Sequence, residues 1–197
     1  MKSKYIKITV LFIFSLILGI ILFNFFNIDK VEKLSLSKHV EKYKLVTHSN
    51  EKFDSKFFTN HPSLMFFGFL NCPDVCPFTL VKISEIINKL KDKSNAVKFY
   101  FVTVDPERDK IQDLKEYLNA FNSQIIGITG SINDIDSFLK HMHVYKKKIY
   151  LDKNNYTIDH SSQMFLFDKK GNFFGTLSTN EKIEDMLSKL KKIINGA

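Results

Sequence analysis

Between Leu64 and Pro77 the chain reads L-M-F-F-G-F-L-N-C-P-D-V-C-P, and no other stretch restricts the fold as much. Leu64 to Leu70 is too short to cross a membrane and runs straight into turn chemistry, which predicts a strand buried on both faces. The two cysteines of the chain, Cys72 and Cys76, follow at once. They stand at the carboxyl end of a core strand, where open α/β sheets place their ligand sites. Pro77 suits the first turn of a helix, because its missing N–H would go unpaired there. The pattern predicts Pro77 as the first helical residue, Cys76 as the cap, and a helix to about Lys91 burying Leu80, Ile83, Ile87 and Leu90. Cys76 then lies against the positive end of that helix, where thiolates are stabilised.

The beginning of the chain carries a different signal. Lys2, Lys4 and Lys7 precede an apolar run from Ile8 to Phe26 that only Thr9, Ser15 and Asn24 interrupt. That length matches a hydrocarbon core of roughly 30 Å, and the lysines hold the first residues in the cytoplasm. No small-residue cleavage site follows the run, which favours an uncleaved signal anchor over a removed signal peptide. The reading is residues 1–7 cytoplasmic, 8–27 a transmembrane signal anchor, 28–44 a polar linker and 45–197 one exported domain. The setting is a bacterial inner membrane with the domain in the periplasm, since no Arg-rich transit peptide precedes the anchor; a mitochondrial intermembrane space is the alternative.

The formal charge is +8, falling to +5 without the three N-terminal lysines. Arg108 is the sole arginine and the lysines are scattered, which excludes the clustered Arg and interleaved aromatics of a nucleic-acid surface. Beyond a short strand at Tyr43 to Thr47, Val97 to Val104 has the β-branched and aromatic content of a second core strand. It ends in D-P-E-R-D, after which Asp109 is expected to start a helix carrying Ile111, Leu114, Leu118 and Phe121. Ile125 to Thr129 is a third apolar run, and Ser131 with Asp134 opens a helix that buries Ile135, Leu139 and Met142. Lys146 to Asn155 reads as an exposed hairpin or loop. Gln163 to Phe167 and Phe173 to Leu177 are strands joined by D-K-K-G-N, with Gly171 suited to positive φ. An amphipathic helix with Ile183, Met186, Leu187, Leu190 and Ile194 on one face closes the chain. This order predicts an α/β, thioredoxin-like sandwich behind a single N-terminal transmembrane helix.

Two cysteines four apart admit a structural disulfide, a redox pair or a soft-metal site. So small a loop restricts the unfolded chain little, and a domain of this size needs no staple. A thioredoxin-type redox pair is more usually C-x-x-C opposite a cis-proline, and no proline stands before the Gln163 strand. That place holds Asp159 and His160 instead, and the fold would open His160 onto the same end of the sheet as the thiols. Two thiolates and an imidazole suit copper, above all Cu(I). Spacing alone leaves His160 open as either a ligand or a hydrogen-bonded structural residue.

The blocks F-F-G-F-L-N-C-P-D-V-C-P, V-T-V-D-P-E-R-D, I-G-I-T-G-S and Y-T-I-D-H-S-S-Q-M-F-L-F-D, in this order, resemble the Sco/SenC family of copper-binding assembly factors for cytochrome c oxidase. The resemblance covers roughly residues 45–194. It implies copper, Cu(I) or Cu(II), held by Cys72, Cys76 and His160. It also implies a copper donor protein upstream and delivery to the copper-bearing oxidase subunit, or reduction of that subunit's thiols. Asp105 falls on an aspartate the family links to partners rather than metal. Asn71 stands where many members have histidine, and Glu51 to Ser63 lacks the usual glycine-rich turn.

Other residues are read plainly. His141 and His143 in H-M-H point to different sides of a helix. His39, His48 and His61 are loop or solvated histidines, and Met65, Met164 and Met186 are core. Arg108 pairs with Asp105 or Asp109, or meets an acidic partner. Asp159 points away from the site and takes no direct role. A thiol–disulfide oxidoreductase shares both cysteines without requiring His160, and a thiol peroxidase would need a polar partner set that the sequence does not display.

Overall fold

Apolar alternation in the run after Pro62 continues without a break, and a strand with both faces apolar has to be covered on both sides. A computed structural model of the chain describes residues 2–27, 34–153 and 155–196. Two compact units divide it, Met1–Lys33 and Leu34–Ala197. In the first, residues 8–27 of the expected anchor belong to helix α1 (Lys2–Asn27). Among the described residues no helix is long and apolar enough to cross a membrane. Residues 28–33 of the expected linker lie outside the described residues.

The second unit runs α2 (Leu36–His39), β1 (Leu45–Thr47), β2 (Ser63–Gly68), α3 (Val75–Leu90), β3 (Lys98–Thr103), α4 (Ile111–Phe121), β4 (Ile125–Gly130), α5 (Ile132–His141), β5 (Lys146–Tyr150), β6 (Tyr156–His160), β7 (Met164–Phe167), β8 (Phe173–Leu177) and α6 (Ile183–Ile194). The main sheet has the strand order β1-β4-β3-β2-β7-β8. β2, β3 and β4 pair in parallel, whereas β1, β7 and β8 join antiparallel. The parallel crossovers through α3 and α4 carry both helices to one face, as right-handed connections require.

Register decides which side chains each face receives. Phe66 lies opposite Phe101, and Gly68 opposite Thr103. On that side of the sheet an added Cβ at Gly127 would meet Leu114 Cγ at 2.7 Å and Leu118 Cδ1 at 2.8 Å, so α4 sits directly on β4 there. The opposite face carries Phe67, which touches Phe138 of α5, and Tyr100, whose ring packs edge-on to Phe53 and Phe58. The Tyr100 hydroxyl donates to the Phe57 carbonyl at 2.6 Å, which resolves the one polar atom in that aromatic cluster.

Local chemistry accounts for the element ends. α3 starts at Val75 with Asp74 as cap, two residues before the expected start at Pro77. The difference is physically small, because the N–H groups of the whole first turn lack intrahelical partners and proline fits any of those positions. Ser131 accepts from the Asp134 N–H at 3.1 Å and opens α5 as read from the sequence. Gly171 adopts φ +73 in the turn between β7 and β8, and its carbonyl accepts from Leu36 N at 2.8 Å. Leu36 and Val40, within the stretch read as linker, are buried in the core.

β5 and β6 form a two-stranded sheet apart from the main one. β5 and β6 pair antiparallel from Lys146 opposite His160 to Tyr150 opposite Tyr156. The charged β5 was expected as an exposed hairpin or loop; β6 as its partner strand was not foreseen. This small sheet matters because its last residue is His160.

Candidate metal centre

Three separate devices converge on one place. β2 ends at Gly68 and the chain turns through Phe69 to Asn71, with the Cys72 N–H bonded to the Phe69 carbonyl at 3.2 Å. Cys76 follows as the second residue of α3 and is fully buried, whereas Cys72 is half-buried. β6 then brings His160 across, its ring edge-on to Phe69 with centroids 5.8 Å apart. Cys72 Sγ, Cys76 Sγ and a ring nitrogen of His160 lie within 4.8 Å of one another. The three residues singled out from the sequence are thus brought together.

The contacts define the state of each donor. The Cys76 backbone N–H points at Cys72 Sγ, 3.4 Å away, as expected at the open end of a helix. Cys76 Sγ lies 3.5 Å from His160 Nε2, and His160 Nδ1 lies 2.9 Å from the Ser161 carbonyl. That carbonyl can take only an N–H, so Nδ1 carries a proton and Nε2 is the ring nitrogen turned toward the sulfurs. Both cysteines are free thiols. The Cys72 thiol is lowered to about 4, first by the hydrogen bond from the Cys76 thiol and then, against the opposing cost of burial, by His160 and by the Cys76 and Asp74 N–H groups. Cys76 is pushed upward by that same bond to Cys72 and by burial. The pair therefore keeps one proton on Cys76 and one negative charge on Cys72.

This asymmetry has a direct readout. Iodoacetamide at pH 6 should label Cys72, with a midpoint for thiolate formation near 4 in the rate profile. An ordinary thiol of pKa about 8.5 would be almost wholly protonated there. Mass spectrometry of the labelled peptides checks the site: label at Cys76, or no label below pH 8, would contradict the assignment.

A cavity of about 330 Å³ opens beside these donors, lined among others by Phe69, Cys72, Pro73, Val75, Asp159 and His160. Two soft sulfurs and an imidazole nitrogen fit a soft, low-coordinate metal ion, and binding would release the Cys76 proton. Asp159 is exposed at the rim and contributes no atom to the donor group.

Several contributors escaped the sequence reading. Gly68 is one: a Cβ there would stand 2.9 Å from Cys76 Sγ. Glycine inside a strand often marks close approach of a neighbour, so the signal was present. Asp109 is another. α4 begins at Ile111, and Asp109 turns inward at 3% exposure instead of starting the helix. Its carboxylate is raised to about 6 by burial, against the stabilising bonds it accepts from Thr103 and Leu70. Arg108 bonds Asp105 at 2.5 Å, one of the two pairings expected. His141 packs against His39 with ring centroids 5.1 Å apart, outside the donor group. His48 Nδ1 accepts from the Gly127 N–H at 3.1 Å, so it is built into the edge of the sheet.

The fold and site together define a class of protein: a thioredoxin-like α/β sandwich that gathers two thiols and an imidazole at the end of its central strand. The family model described as SCO1/SenC matches residues 31–195. The chain belongs to the SCO1/SenC family. A SCO2-like protein of Rickettsia prowazekii is 36% identical over 148 residues, covering 72% of this chain and 72% of that protein. SCO1 homolog 1 of Arabidopsis thaliana, a mitochondrial protein, is 32% identical over 153 residues; the match covers 77% of this chain but only 46% of that longer relative. Among solved structures, Bradyrhizobium japonicum ScoI with copper bound superposes with a TM-score of 0.72 at 31% identity, over 77% of this chain and 96% of that one.

Proposed function

We propose that the chain is a membrane-anchored copper chaperone that carries one copper ion on Cys72, Cys76 and His160 and passes it to the copper-bearing subunit of cytochrome c oxidase. The observation that carries this reading is the convergence of three soft donors within 4.8 Å at an open cavity. Copper in the related ScoI structure supports the choice of metal, and the family resemblance supports the oxidase as acceptor. Residues 8–27 would anchor the chain with the folded domain outside the cytoplasm, loaded there by a copper donor protein.

The chain's own groups supply the chemistry. Cys72 offers a ready thiolate, Cys76 yields its proton to water as the ion enters, and His160 adds Nε2 while the Ser161 carbonyl holds its ring. Cys72 and His160 line the cavity, whereas Cys76 is fully buried. Acceptor groups therefore displace Cys72 and His160 first and Cys76 last. Two entering thiolates replace the two leaving ones, a neutral donor of the acceptor replaces the imidazole, and Cys76 takes a proton back from water, so the copper keeps its oxidation state.

The half-buried Cys72 thiolate beside a buried, protonated Cys76 also favours a second reading, a thiol–disulfide oxidoreductase acting on the oxidase's copper-site cysteines. Copper stoichiometry of the reduced full-length chain in detergent tests the first. One tightly held copper per chain is expected. A chain that holds none against a competing chelator, while reducing a model disulfide at Cys72, would transfer the conclusion to the second.

A further inference from the structure

The two halves of the candidate site come from segments more than eighty residues apart, yet one short loop reaches both. Thr103, the last residue of β3, donates its hydroxyl to Asp109 Oδ2 at 2.6 Å and accepts the Asp105 N–H at 2.9 Å. The Asp109 carboxylate also accepts the Leu70 N–H, at 3.2 and 3.4 Å, two residues before Cys72. Asp105 binds Arg108 Nε at 2.5 Å and accepts the Tyr156 hydroxyl at 2.9 Å. Arg108 donates from Nη1 to the Tyr156 carbonyl at 2.9 Å and stacks on the Tyr156 ring with Cζ 3.7 Å from its centre. Tyr156 begins the strand that ends in His160. Thr103, Asp105 and Asp109 are at most 3% exposed, so the bonds among these three are shielded from water, whereas Arg108 and Tyr156 are half-buried.

We infer that the 103–109 loop is a brace that sets the geometry of the copper site from behind: Asp109 positions the Cys72 turn, and Asp105 with Arg108 positions the β6 strand and hence His160. These are positioning residues; none contributes a donor atom. The inference rests on the copper reading above only for its consequence, not for the brace itself. Buried polar networks fix one arrangement to the extent that their members are satisfied; here Arg108 Nη2 is buried without a hydrogen-bond partner, and the bonds named above carry the bracing. Loosening either arm leaves three ligands present but misplaced, and outer-shell partners of metal ligands typically hold about 10–100-fold in affinity.

The test uses the full-length chain in detergent with two readouts. Copper affinity is measured by competition with a Cu(I) chelator, and amide exchange at Leu70 and along β6 is measured on the copper-free protein. Asp109→Asn and Thr103→Val are expected to weaken copper at least about tenfold and to speed exchange at Leu70. Thr103→Ser, which keeps the hydroxyl, should restore both. Arg108→Lys should speed exchange along β6 and weaken copper comparably, because an ammonium cannot span Asp105 and the Tyr156 carbonyl as a guanidinium does. Gly127→Ala serves as the control, lowering stability from the far side of α4 without changing either readout at matched fraction folded. Parent-like copper affinity in Asp109→Asn and Thr103→Val would overturn the inference, as would equal losses in Gly127→Ala. If the parent takes up no copper, the exchange pattern still decides: faster exchange at Leu70 upheld by serine rescue keeps the brace and removes the copper reading, and parent-like exchange removes the brace.

Discussion

His160→Ala should cost the full-length chain more than about a hundredfold in Cu(I) affinity and should abolish tight Cu(II) binding. Even groups one step removed from a metal hold 10–100-fold, and this change deletes a donor outright. The two oxidation states should respond differently for a reason of ligand chemistry. Thiolates alone still suit Cu(I), but Cu(II) prefers nitrogen and oxygen donors, and among the described residues His160 is the one nitrogen in the donor group. The fold should survive, because the ring is half-exposed and its packing consists mainly of the edge contact with Phe69, worth about 0.5–1.5 kcal/mol. Loss of the imidazole should also raise the Cys72 thiol from about 4, since His160 is among the groups that lower it. Chelator competition and the alkylation profile measure the two effects on one sample. An alanine variant that holds both copper ions as the parent does would remove His160 from the ligand set. If its disulfide-reducing rate were also unchanged, the oxidoreductase reading would lead.

What could be read from the residues, and what could not, follows a physical division. β2 was legible because a strand buried on both faces has no choice of pattern, and α3 because its apolar residues recur at 3 and 4 steps. The donor group was legible because thiols and an imidazole carry their chemistry wherever they stand. β6 was not legible: Y-T-I-D-H buries only Ile158 and draws its pairing from the lysine-rich β5, so hydrophobic period gives almost no signal. Asp109 was misread for a related reason. An aspartate after D-P-E-R looks like a helix cap locally, and only the tertiary fold supplies the Leu70 N–H and the Thr103 hydroxyl that turn it inward. Local sequence thus displayed the three donor residues, while the hydrogen bonds around them depend on contacts between distant segments.

Gly68→Ala is expected to damage stability and copper binding together, and the geometry says why one methyl group reaches both. Its Cβ would stand 2.8 Å from Phe101 Cε2 and 2.9 Å from Cys76 Sγ. Neither neighbour can retreat into solvent, since Phe101 and Cys76 are both fully buried. β2 cannot shift easily either, because it is paired to β3 on one side and β7 on the other, and the Gly68 carbonyl accepts the Val104 N–H at 2.8 Å. Overpacking of this kind costs about 1–3 kcal/mol, read as a lower urea midpoint at unchanged slope. Whichever way the clash resolves, the sulfur of Cys76 moves relative to Cys72 and His160, so copper affinity should fall by about tenfold or more. Gly127→Ala separates the two consequences. Its Cβ meets Leu114 and Leu118 at 2.7 to 2.8 Å, a clash as severe, but against α4 rather than a thiol. Both variants should therefore lose similar stability, and only Gly68→Ala should lose copper. Equal copper affinity in the two would mean that Cys76 Sγ tolerates displacement, and its place among the ligands would have to be given up.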